Sequence, residues 1–122
     1  MDYLRIWADK SGETHLDEVT LDRVVTPAEH GVSELWSSLA TSVDRIQFLD
    51  VQAVDQVPAE HCAPRRQFVV FLDGWVSITT SDGDSRVLPA GSVVLAEDVV
   101  GKGHITELEP GVRRVLQIPL DS

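Results

Sequence analysis

Apolar and polar residues alternate along most of this chain in short runs closed by Gly, Pro or Asp. Alternation with period two places every second side chain on one face of an extended strand. The pattern predicts strands at LRIWA (4–8), HLDEVTLDRVV (15–25) and DRIQFLDVQAV (44–54). RQFVVFLDG, WVSITT, SRVLPAG, SVVLAED, HITELE and RRVLQIPL follow at close spacing. Short strands with such punctuation argue for an all-β sandwich or barrel. Asp82-Gly83 reads as a type I′ hairpin pair, Pro89 to Gly91 as a turn and Glu109 to Gly111 as the last hairpin. One stretch breaks the rhythm. In residues 26–44, Val32, Leu35, Trp36 and Leu39 recur at helical spacing, with Ser33 placed to cap. A short helical or loop segment near 30–40 is expected there, covering one open end of the barrel. Its functional reading is a lid that carries Trp36 over a pocket mouth.

Composition narrows the class. The 122 residues suit one domain spanning 1–122, large enough to bury a core without cross-links, and the lone Cys62 excludes an intramolecular disulfide. The formal net charge is −10, so phosphate backbones are repelled and no nucleic acid partner is expected. No apolar run approaches the ~20 residues that span a bilayer, and the first residues lack a signal-peptide pattern. The expectation is a soluble, cytoplasmic protein with no membrane partner.

Two spacings carry more. Gln67 is followed after six residues by Gly74, and Gly83 is followed after five by Pro89-Ala90-Gly91. This arrangement resembles the two-part motif of the cupin superfamily, over residues 60 to 98. The run EDVVGKGH (97–104) is also similar to that of a group of small actinobacterial-type cupins. The resemblance implies a jelly-roll β-barrel around a small-molecule pocket, and a homodimer as the family's common assembly. Tyr3, Trp7 and Trp36 are each available to an interface or to the core. The family's metal ligands are two histidines, a glutamate and a third histidine. Here the corresponding positions hold His61 and Ala63 in one register, or Glu60 and Cys62 in the other, then Gln67 and Val94. Transition metals want three or four anionic or imidazole donors. The expectation is therefore no cofactor, with a divalent metal as the alternative.

Alternation gives a candidate pocket. Gln67 shares a face with Val69 and Phe71, and Val94 with Ala96 and Asp98, which makes an apolar base with a polar rim. His104 opens a strand after the glycine-flanked Lys102, so it enters from a different strand than His61. Arg65 and Arg66 are candidates to recognise a carboxylate, and His15 to reach the pocket rim. Histidines titrate near neutrality and move protons readily. The favoured reading is a metal-independent acid–base enzyme, an isomerase, dehydratase, cyclase or decarboxylase, acting on a small metabolite with a carbonyl or hydroxyl group. His61 and His104 would exchange protons, and Gln67 and Lys102 would steady a developing oxyanion. Val69, Phe71, Val94, Ala96, Asp98 and Trp36 would bind the substrate. Two alternatives stay open: a non-catalytic binding module, and a dioxygenase-type enzyme holding metal through His61, His104 and Asp98 or Glu60.

Overall fold

The computed structural model describes residues 1–120 and is all-β. Its strands are β1 (Tyr3–Ala8), β2 (Thr14–Val19), β3 (Val24–Thr26), β4 (Leu35–Ser37), β5 (Gln47–Gln52), β6 (Gln67–Phe71), β7 (Val76–Thr80), β8 (Ser85–Leu88), β9 (Ser92–Ala96), β10 (His104–Leu108) and β11 (Val112–Pro119). A 3₁₀ turn spans Ala53–Asp55. Among the described residues no helix is long and apolar enough to cross a membrane.

Three sheets form. Six strands join in the order β2-β1-β9-β6-β11-β5, three in the order β10-β7-β8, and β3 and β4 make a two-stranded sheet. Apolar rows run straight across the six-stranded sheet because its registers align. Ile6, Ala96 and Gln67 make one row, Leu4, Val94, Val69 and Gln117 the next, and Phe71, Val115 and Leu49 a third. Val76, Ile78 and Leu88 bring the three-stranded sheet onto the same core. Burying such a side chain contributes roughly 1.5–3 kcal/mol.

The sheets do not close into the expected barrel. Where β2 meets β7 the joint runs through side chains. The Thr14 N–H donates to Ser81 Oγ at 2.8 Å, the Ser81 N–H donates to Thr14 Oγ1 at 2.8 Å, and the Thr14 hydroxyl donates to the Gly103 carbonyl at 2.7 Å. Hydroxyl bonds stitch the corner but do not continue a ladder.

Two turns differ from expectation. Asp82 has an ordinary negative φ, so the β7–β8 hairpin is not type I′. The Gly83 N–H donates to Thr80 O and the Thr80 N–H to Asp84 O, both at 3.0 Å, with Gly83 at φ +87. This is a three-residue loop in which one left-handed glycine suffices. Glu109 to Gly111 is not a hairpin either. It carries the chain from β10 in the smaller sheet to β11 in the larger.

No helix forms at 26–44. The Glu29 N–H and the Val32 N–H each donate to the other's carbonyl, at 3.0 and 2.9 Å, around His30-Gly31. Gly31 at φ +79 closes the turn and the β-forming residues Val24, Val25, Leu35 and Trp36 pair on either side of it. Helical spacing meant nothing here because no face of this segment is buried.

Candidate functional site

A cavity of about 440 Å³ lies between the two larger sheets. Its base is the apolar rows of the six-stranded sheet. Ile78, Thr106 and Leu108 face them from the smaller sheet, and Val57 and Pro64 stand at the open side. The size and the mostly apolar lining match a small-molecule site.

Both sequence-predicted histidines line this cavity, and the backbone explains how they meet. The His61 N–H donates to His104 O at 3.0 Å, and the His104 N–H donates to His61 O at 2.9 Å. Residues that exchange two such bonds stand directly opposite one another with side chains on the same face. The imidazole centroids are accordingly 4.7 Å apart, with ring planes inclined by 52°. The approach requires glycine at 103. Gly103 has φ +74, and a Cβ there would lie 2.5 Å from the His61 carbonyl oxygen. The glycines around Lys102 thus serve close backbone packing.

Each ring is held from behind. His104 Nδ1 lies 2.6 Å from Asp98 Oδ2, and Asp98 is 0% exposed. A carboxylate accepts, so His104 donates its Nδ1–H and leaves Nε2 without a protein partner among the described residues. His61 Nδ1 donates to the Ala59 carbonyl at 3.2 Å, which assigns the same tautomer to the more exposed ring. Asp98 Oδ1 is buried and makes no hydrogen bond. Gln67 also lines the cavity, only 3% exposed, and its Oε1 has no partner. An unpaired buried amide oxygen costs about 1–3 kcal/mol.

The other predicted residues divide. Val69, Phe71, Val94 and Ala96 line the cavity. Asp98 does not. β9 ends at Ala96, so strand alternation no longer governs Asp98, whose side chain turns behind His104. Lys102 points away from the cavity, its Nζ 2.6 Å from Glu13 Oε2, while its N–H donates to Gly12 O. Trp36 is 63% exposed, its Nε1–H donating to Glu34. Arg66 pairs with Glu97, which also holds Arg5. Burial pushes the Glu97 carboxyl upward, but the two guanidiniums outweigh it and hold it below the usual range.

His15 has a different setting. Its Nε2 lies 2.8 Å from Asp9 and its Nδ1 3.0 Å from Asp82, with Trp7 4.7 Å from ring to ring. The hydrogen bond to Asp9, above all, raises its affinity for a proton. The Asp9 carboxyl is held down to about 2, first by the Ser11 hydroxyl and then by His15.

Sequence reasoning missed Gln117 in the cavity wall, whereas Thr106 shares the His104 face of β10 as strand alternation expects. Gln117 carried the same signal as Gln67, a polar residue set in an apolar run, here from Val115 to Pro119. Among the described residues no three His, Cys, Asp or Glu side chains are grouped so as to hold a metal. Of the positions the cupin motif would use, Ala63 and Val94 offer no donor. His61, His104 and the neutral Gln67 amide fall short of the anionic or imidazole set a tight site wants. These residues do not fit a resident metal. No family model, no curated protein and no solved structure matches the chain.

Proposed function

We propose that this is a cupin-type domain, an opened relative of the jelly roll, whose cavity carries out metal-independent acid–base chemistry on a small neutral molecule. The observation that carries the reading is the buried Asp98–His104 pair standing beside His61 in the cavity wall. Asp98 fixes the His104 tautomer and leaves Nε2 free to give or take a proton. With the two rings side by side in the cavity wall, one serves as acid and the other as base.

Gln67 supplies the positioning group. Its amide offers both an acceptor and a donor to a carbonyl or hydroxyl on the ligand. Among the described residues that line the cavity there is no Lys, Arg, Asp or Glu. The ligand class is an apolar frame with one neutral oxygen function. Proton removal next to that oxygen and return of the proton elsewhere is an isomerisation. Loss of hydroxide as water makes the same pair a dehydratase. The chain would then work in a cytoplasmic, biosynthetic setting.

The second reading is a binding module, in which the same groups only hydrogen-bond the ligand. Deuterium incorporation from heavy water into cyclohex-2-enone, followed by NMR, separates the two. Catalysis predicts that the wild-type chain speeds exchange and that His61→Ala and His104→Ala each lose at least ~100-fold, since general acid–base groups contribute about 10²–10⁴. Saturable binding with exchange no faster than in buffer would leave the binding module.

A further inference from the structure

Gln67 is buried where its own sheet gives it no partner. On β6 it stands between Ala96 of β9 and Pro119 of β11, and neither neighbour carries a polar side chain. Its Oε1 is buried without a hydrogen bond, and Gln67 lines the cavity. A donor that reaches this oxygen therefore comes from the cavity side. A ligand that displaces water there gains only by bringing an O–H or N–H of its own. The imidazoles ask for the same. The Nδ1–H of His104 goes to Asp98 and that of His61 to the Ala59 carbonyl, so Nε2 of each ring is an acceptor. A ligand made only of acceptors, such as a simple ketone, satisfies none of the three.

A second amide stands close by. Gln117 on β11 is opposite Val69, and Val69 is two residues along β6 from Gln67. The two glutamines are thus diagonal neighbours on one face of the sheet, about 7–8 Å apart, and both line the cavity. One small ring can touch both. The Gln117 amide offers N–H donors, which suit a carbonyl oxygen.

We propose that the ligand is a hydroxy ketone, its hydroxyl donating to Gln67 Oε1 and its carbonyl accepting an N–H of Gln117. Of the two functions that Gln67 can position, the unpaired Oε1 selects the hydroxyl, and Gln117 selects for a second oxygen. The carbonyl half rests on the acid–base reading above, because a carbonyl is what makes a neighbouring C–H removable by an imidazole. The hydroxyl half rests on Gln67 alone.

Calorimetric titration of the full chain tests it with three probes. They are cyclohex-2-enone, 4-hydroxycyclohex-2-enone and the methyl ether of the latter, which keeps the oxygen and lacks the donor. The hydroxylated probe should bind at least ~10-fold tighter than either of the others, because it pairs a buried oxygen that they leave unpaired. Gln67→Leu should abolish that preference without loss of folding in a thermal melt, since Oε1 has no partner to lose. Gln117→Leu should weaken all three probes about equally and keep the preference. Equal binding of the hydroxyl and methyl-ether probes by the wild-type chain, a comparison that needs no variant, would overturn the proposal. So would a preference that survives Gln67→Leu. Binding of none of the three would overturn it together with the cavity as a ligand site. The proton chemistry fails separately: a hydroxyl preference without deuterium exchange into any probe would remove the catalytic reading and leave the Gln67 assignment standing.

Discussion

Among the described residues there are two histidine–carboxylate arrangements, and they differ in what is left over. His15 spends both ring nitrogens, one on Asp9 and one on Asp82, against the ring of Trp7. It ties the β1–β2 loop to the β7–β8 turn and keeps nothing for a ligand. His104 spends only Nδ1, on a carboxylate that water does not reach, and its ring lines a cavity beside a second imidazole. The same pair of residue types thus gives a clamp in one place and, in the function proposed above, a proton carrier in the other. The number of unoccupied nitrogens and the access to a cavity decide between them.

The largest effect that separates the two comes from truncating each ring. His104→Ala should cost at least ~100-fold in the exchange reaction, and His15→Ala should leave it unchanged. Equal losses would mean that neither ring is special and that the fold had simply loosened.

Next is Asp98→Asn, which keeps the shape and removes the charge behind His104. Exchange should fall about tenfold or more, because an amide can offer its N–H₂ to the ring and no longer fixes the Nδ1–H tautomer. Melting temperature reports on the fold separately, because the Asn amide would bury N–H donors where Oδ1 has no partner. A variant with full activity and a lower melting temperature would assign Asp98 to the fold alone.

Gly103→Ala probes the backbone that brings the two imidazoles together. A side chain forced to positive φ costs about 1–3 kcal/mol, and here it also meets the His61 carbonyl. Melting temperature and exchange should both drop. A wild-type melting curve would show that His61 and His104 do not depend on this contact.

The smallest effect is the pH dependence of the clamp. His15 binds its proton more tightly in the folded chain, so its contribution is full below about pH 6.5 and fades as pH rises through the raised value. Asp9 acts at the other end, contributing above its ordinary 3.8 and losing that as pH falls through about 2. His15→Gln should flatten the melting-temperature profile above pH 6.5. A slope that persists in the variant would place the titrating group elsewhere.

Much of the cavity was legible from period two alone. Gln67, Val69 and Phe71, then Val94 and Ala96, face inward as alternation requires, and His104 with Thr106 and Leu108 answer them. The reasoning failed where the strand pattern stopped. Asp98 lies two residues past the end of β9, so its direction is set by the bond to His104 and by the Ala63 N–H that donates to its carbonyl. Lys102 was assigned to the cavity because glycines flank it, but those glycines serve close passage by Gly12 and His61. The helical spacing around Trp36 had no packed face to report, since a periodic pattern informs only where one side is buried.

The most direct measurement is a long-range ¹H–¹⁵N spectrum of the imidazoles at pH 6.0, recorded as cyclohex-2-enone is added. The account predicts that His15 carries protons on both nitrogens and does not respond. It predicts that His104 keeps its Nδ1 proton toward Asp98 while the Nε2 signals of His104 and His61 shift with saturation. Shifts at His15, or a His104 ring protonated on Nε2 alone, would contradict it.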